Sequence, residues 1–144
     1  MAKYKLTPEQ YQEILVKLTL QEIRLISSNM KFIEENNENA LELIIDEKLT
    51  HQDSGDIVNF FSSFSLIASG KSNKKEVILI DCVYKAVYSK STDVKISKDF
   101  VEIFENTSLG IILWPYFREH IHTNISKMNM PPLVLPMKRI LIGE

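Results

Sequence analysis

The chain has 144 residues, 44% hydrophobic and 25% charged. That is the balance of one globular domain with a core of its own, and it argues against a disordered segment. Seventeen Lys and Arg against 19 Asp and Glu leave a net charge of −2 with no basic cluster, which disfavours nucleic-acid binding through phosphate neutralisation. No window approaches 18 apolar residues, and Met1-Ala2-Lys3-Tyr4-Lys5 runs into Thr7-Pro8-Glu9-Gln10 rather than an apolar signal core. The sequence therefore predicts no membrane insertion and a cytoplasmic location.

The first predicted element is a short helix over residues 8–17. Thr7 caps it, Pro8 suits the first helical position, Gln10 completes a Thr-x-x-Gln capping box, and Tyr11, Ile14, Leu15 and Leu18 form an amphipathic stripe. From Leu18 the period changes. Leu18 and Leu20 alternate, the phase slips at Gln21-Glu22, Ile23 and Leu25 continue, and Met30 and Phe32 follow a second slip. A long strand with one or two bulges reads this way. Asn36-Asn37-Glu38-Asn39 is a polar turn. In the second strand Leu41, Leu43, Ile45 and Leu49 alternate with Glu42, Asp46 and Lys48 until Gln52-Asp53-Ser54-Gly55-Asp56 breaks it.

The third strand places Val58, Phe60, Phe64, Leu66 and Ala68 on one face, and residues 70–75 form a polar hairpin turn. The fourth, over residues 76–88, is apolar on both parities: Ile78, Ile80, Cys82 and Tyr84 against Val77, Leu79, Val83 and Val87. Such a strand calls for cover on both faces, and one helical layer supplies only one. Ser97 then caps a short helix through Phe100, Ile103 and Phe104, interrupted near Asn106-Thr107. A longer helix follows to about Met128 with the stripe Gly110, Leu113, Trp114, Phe117, Ile121, Ile125 and Met128. Pro115 costs about 3 kcal/mol in a helix interior, so the helix is expected to begin or bend there. Strands first and helices later predict an α+β domain. Its expected form is a four-stranded antiparallel meander over residues 18–89, backed by a helical part over residues 97–144.

Catalytic signatures are missing. Cys82 is the only cysteine and sits in an apolar run, where a thiol acts as a small buried hydrophobe. On a helix, His120 and His122 point about 200° apart and cannot share an ion. His51, Asp53 and His122 are dispersed, and no nucleophile elbow, phosphate loop, paired-cysteine motif or zinc signature is present. The expectation is no enzyme, no metal and no cofactor, with Arg118 and Glu119 as surface or interface groups holding a Pro-Tyr corner.

One stretch is specific. Leu113-Trp114-Pro115-Tyr116-Phe117-Arg118-Glu119 is followed by Met128-Asn129-Met130-Pro131-Pro132-Leu133-Val134-Leu135-Pro136. It resembles the SecB family of export chaperones, which carry a Phe-Pro-Tyr-x-Arg-Glu helix and then a Gly-x-Phe-Pro-x-Leu-x-Leu-x-Pro segment. Pro115, Tyr116, Arg118 and Glu119 fall on the first pattern. Pro131, Leu133, Leu135 and Pro136 match the second, with Asn129-Met130 replacing Gly-Phe.

The resemblance implies an ATP-independent holdase that binds unfolded polypeptides in apolar grooves as a homo-oligomer, a dimer of dimers. It implies groove-lining positions at Leu41, Leu43, Ile45, Ile78, Leu79, Ile80, Cys82, Met128, Met130 and Leu133, and partner docking at Asp81. Methionines suit a surface that adapts to many clients. The family's second helix and acidic tail, used with the SecA motor, have only eight residues of sequence after Pro136. A SecB-like chaperone dedicated to another client, such as the antitoxin of a toxin–antitoxin pair, fits this departure as the alternative.

Overall fold

Capping chemistry sets where the helices begin. Thr7 Oγ1 accepts the Gln10 N–H at 3.1 Å and Gln10 Oε1 accepts the Thr7 N–H at 2.9 Å. This reciprocal box starts α1 (Pro8–Leu15). Ser97 Oγ accepts the Phe100 N–H at the start of α2 (Lys98–Asn106). At Thr107 the backbone leaves helical space, with φ −122° and ψ −87°, and α3 (Ser108–Lys127) begins directly after it. The structure is a computed structural model that describes residues 6–133 and Leu135. The expected extension of the helical part to residue 144 lies outside the described residues, as does Pro136.

Between α1 and α2 run four strands, β1 (Thr19–Phe32), β2 (Leu41–Asp53), β3 (Ile57–Gly70) and β4 (Glu76–Ser89). They form one antiparallel sheet in the order β1-β4-β3-β2. The α+β class and the four antiparallel strands are as expected, but the meander extends only over β2, β3 and β4. β1 lies beside β4 and not beside β2. The physical reason is in the side chains. β1 and β2 carry most of the sheet's charges and tolerate an edge, whereas an edge position would expose β4, apolar on both parities. β1 shifts register between Leu20 and Glu22 and again between Leu25 and Ser27, the two places where its apolar phase slips.

The helices cover one face of the sheet. On β3 every even-numbered residue from Val58 to Gly70 is buried, whereas none of its odd-numbered residues is. Phe60, Phe64 and Leu66 of β3 and Ile78 and Ile80 of β4 meet Phe100 and Phe104 of α2 and Leu113, Phe117, Ile121 and Ile125 of α3. Phe64 and Phe117 stack at 4.5 Å, joining sheet to helix at the middle of the core. The helix neither begins nor stops at Pro115. It starts at Ser108 and runs through the proline. Pro115 is exposed, and the carbonyl left without its donor belongs to Ile111, 40% exposed, so neither group is trapped in the core.

Two tight turns close the ends. A Cβ on Gly70 would collide with Asn73 Oδ1 and Glu38 Cδ, so any other residue in the β3–β4 turn has to push those two side chains aside. At the other end the Lys90 ammonium, buried at 1% side-chain exposure, donates to the carbonyls of Gly55 and Val94 and lies 3.1 Å from Asp53 Oδ1. It ties the β2–β3 turn to the loop that leads into α2.

Candidate functional site

On the helix-covered side, the β2 edge is only partly covered. Leu41, Leu43 and Ile45 pair with Gly70, Ala68 and Leu66 of β3 and so share their face. Leu41 and Ile45 are half-buried and Leu43 is 37% exposed. Met128 caps the end of α3 and is half-buried; the chain then turns through Asn129, at φ +54°, to Met130 and Leu133, both half-buried, and Leu135, which is buried. The Asn37 amide donates to Met130 Sδ at 3.6 Å, which places this segment at the end of the sheet where β2 begins. Leu41, Ile45, Met128, Met130 and Leu133 all pack against the same core. A cavity of about 480 Å³ lies beside the segment, lined by Pro115, Arg118, Glu119, His122 and Leu133.

The expected positions on β4 divide between two environments. Ile78, Ile80 and Cys82 are 0%, 0% and 1% exposed inside the core, where no ligand reaches them. On a strand apolar on both parities, the helices happen to cover the even positions. Burial, reinforced by the Asp81 charge, pushes the Cys82 thiol up to about 12, so it carries no thiolate. Leu79 and Asp81 project from the opposite, open face. There Leu79 lies in one row with Ile67 and Ile44, and Asp81 in the next with Ser65 and Asp46. A shallow cavity of about 390 Å³ opens over Ser63, Ser65, Asp46 and Asp81. Among the described residues nothing buries this face, so the expected second cover for β4 is not supplied by them.

A further apolar rim was not anticipated from the sequence. On β1, Leu20, Leu25 and Met30 pair with Tyr88, Tyr84 and Ile80, yet they remain 40%, 43% and 39% exposed. α3 adds Ile112 and Tyr116 beside them, at 37% and 44%. The Tyr84 hydroxyl donates to the Tyr116 carbonyl at 3.1 Å, and the two rings meet edge-on at 5.8 Å. The available signal was the apolar alternation of β1. Its meaning depended on β1 lying next to β4, which parity alone does not reveal.

Among the described residues, the candidate polar groups lie apart from one another. His120 Nε2 is 2.9 Å from Ser28 Oγ, toward β1, whereas His122 lines the cavity beside the Pro-rich segment. His51 lies against Phe60 at the far end of β2, and Asp53 is engaged by Lys90. Among the described residues no three His, Cys, Asp or Glu side chains gather as a metal site, and no helix is long and apolar enough to cross a membrane.

No protein-family model matches the chain, and no curated protein sequence matches it. Solved structures do. The Mycobacterium tuberculosis Rv1957 SecB-like chaperone, in complex with a ChAD peptide from the Rv1956 HigA1 antitoxin, superposes with a TM-score of 0.73 at 14% identity. The match covers 87% of this chain and 93% of that one. A protein of unknown function from Streptococcus agalactiae matches at a TM-score of 0.43 and 12% identity, over 83% of this chain and 96% of that one. The fold of this chain is SecB-like.

Proposed function

We propose that the protein is a SecB-like holdase, an ATP-independent chaperone that keeps non-native polypeptides extended and apart, and that it catalyses no reaction. The observation that carries this reading is the rim where Leu43 stays exposed while Leu41, Ile45, Met130 and Leu133 pack half-open against the core. Such a surface is bound by burying apolar side chains, each worth about 1.5–3 kcal/mol. Association itself costs about 4–15 kcal/mol, so a few contacts give weak and sequence-tolerant binding. Methionine at positions 128 and 130 lets the rim adapt to different clients. A solved SecB-like chaperone of the same fold adds support.

A second reading is favoured by one specific observation, the antitoxin peptide bound to that neighbour. Here the same rim serves one dedicated partner, such as an antitoxin, with little promiscuity. On either reading a second copy of the chain covers the β1–α3 rim at Leu25, Met30 and Tyr116, as the first step to a dimer of dimers. Asp81 belongs to the open face, where a partner such as SecA docks. Aggregation assays separate the two readings. A holdase suppresses aggregation of several unrelated unfolded proteins, and a dedicated adaptor protects only one. In both, Leu43→Asp removes the protection without lowering Tm. Full protection by Leu43→Asp would contradict the assignment of the rim.

A further inference from the structure

α1 lies on an aromatic shelf of which its own Tyr11 is the outermost ring. Tyr11 stacks on Phe100 at 5.1 Å, Phe100 stacks on Phe104 at 5.2 Å, and Phe104 meets Phe60 and Tyr88 at 4.8 and 5.5 Å. The four inner rings are buried, at 0–5% exposure, and Tyr11 is not. The shelf also holds the polar end of that ring. Tyr11 Oη is 2.9 Å from Ser108 Oγ and 3.1 Å from Thr107 Oγ1, at the break between α2 and α3.

The helix that delivers Tyr11 is weakly held. It spans eight residues, none of them fully buried: Tyr11, Ile14 and Leu15 pack half-buried against the core, and Val16 just after it is 67% exposed. A helix this short has little stability of its own in water and persists only through its docking. Segments with few buried side chains open at the low end of the free-energy scale, far below global unfolding. Opening α1 would leave the Phe100 face, together with the Thr107 and Ser108 hydroxyls, as a vacant slot for an aromatic side chain bearing a hydroxyl.

We propose that the Phe100–Thr107–Ser108 shelf is a second polypeptide-binding site that takes a tyrosine side chain of a client, and that Tyr11 of α1 occupies it until a client displaces it. The site rests on the holdase reading and is separate from the rim at Leu43. Tyr11 shows the chemistry of the occupant: a ring that stacks on Phe100 and a hydroxyl that reaches Thr107 and Ser108. A client entering the site gains both interactions and, beyond the ordinary cost of association, must open α1. Its apparent affinity is therefore reduced by the closed fraction, a penalty that loosening α1 removes.

The test compares the full-length chain with Tyr11→Ala, using reduced, carboxymethylated α-lactalbumin and a synthetic peptide of this chain's residues 6–18 as probes. If α1 is open in about one molecule in ten, Tyr11→Ala binds both probes up to about tenfold more tightly. A peptide with alanine in place of its tyrosine loses that gain. Tyr11→Phe, which keeps the ring and loses the hydroxyl contacts, gives an intermediate gain even if Tyr11→Ala folds poorly. Hydrogen exchange on the unmodified chain adds an independent readout, with α1 amides exchanging faster once α-lactalbumin is added. Equal affinities for all three chains, or α1 amides as protected as those of β3 and β4 with client present, would overturn the proposal. If α-lactalbumin still bound, and Leu43→Asp abolished that binding, the holdase reading would survive this failure. Absence of binding to every chain would overturn both.

Discussion

His120 of α3 and Ser28 of β1 are joined at 2.9 Å by Nε2 and Oγ, so that an imidazole ties the long helix to an edge strand. Tyr84 of β4 presents its ring edge-on at 6.4 Å, and Glu119 and Lys127 share the helix. Burial, followed by the Lys127 charge, holds the imidazole below its ordinary value of 6.5. Because the folded pKa is depressed, the unfolded chain takes up the proton first as pH falls. The contribution is complete above about 6.5 and is lost as pH drops from there toward the folded value. Urea midpoints at pH about 7.5 and about 5.5 check it. The unmodified chain should lose more stability over that interval than His120→Gln, and equal losses would contradict the assignment.

Much of the fold could be read from residues. The Thr7–Gln10 box and the Ser97 cap identified the helix starts because capping is local chemistry. The two phase slips in β1 marked its bulges because one extra residue inverts parity. Strand order could not be read that way. Parity says which residues share a face, not which strands are neighbours, and the better guide was the charge on β1 and β2 beside the apolar β3 and β4. The same limit divided the candidate site. Leu41, Leu43 and Ile45 alternate with charges, so their face was clear. Ile78, Ile80 and Cys82 sit on a strand apolar on both sides, where only the position of α3 decides which parity is core. Lys90 gave no signal, since its partners come from the end of β2, the β2–β3 turn and the loop after β4.

Lys90 supports a stability prediction. Its ammonium satisfies two backbone carbonyls and faces Asp53, whose carboxyl is held below the usual carboxylate value chiefly by the Gly55 N–H, with Lys90 adding to it. Lys90→Met leaves these acceptors without their donor and should cost about 2–4 kcal/mol. Asp53 loses its own contribution as pH falls below about 3.8 and through its folded value, so the deficit of the variant should shrink in strong acid. Denaturant titrations at neutral and acidic pH check both statements.

Trp114 and Tyr116 should behave differently although they flank the same proline. Trp114 is 8% exposed and packs on Phe117 at 5.6 Å, so Trp114→Ala removes core packing at about 3–5 kcal/mol. Tyr116 is 44% exposed on the β1–α3 rim, and Tyr116→Ala should change Tm little. If a second copy covers that rim, the Tyr116 variant shows its effect in solution mass. Calorimetry and sedimentation on the two variants separate these outcomes.

Gly70→Ala tests the β3–β4 turn. The added methyl meets Asn73 Oδ1 and Glu38, and Glu38 also accepts the N–H groups of Ser72 and Asn73 at 2.7 and 3.3 Å. Relieving the clash breaks those bonds, at a cost of about 1–3 kcal/mol. Thermal melts of Gly70→Ala, alone and combined with Asn73→Ala, should show partial rescue in the double variant.

Solution mass by light scattering, alone and with an equal concentration of an unfolded, reduced model protein, shows whether this protein captures a client. The expected result is an oligomer whose mass rises by that of a bound client, and a Leu43→Asp variant that assembles alike but gains nothing. A mass unchanged by any unfolded protein would contradict it.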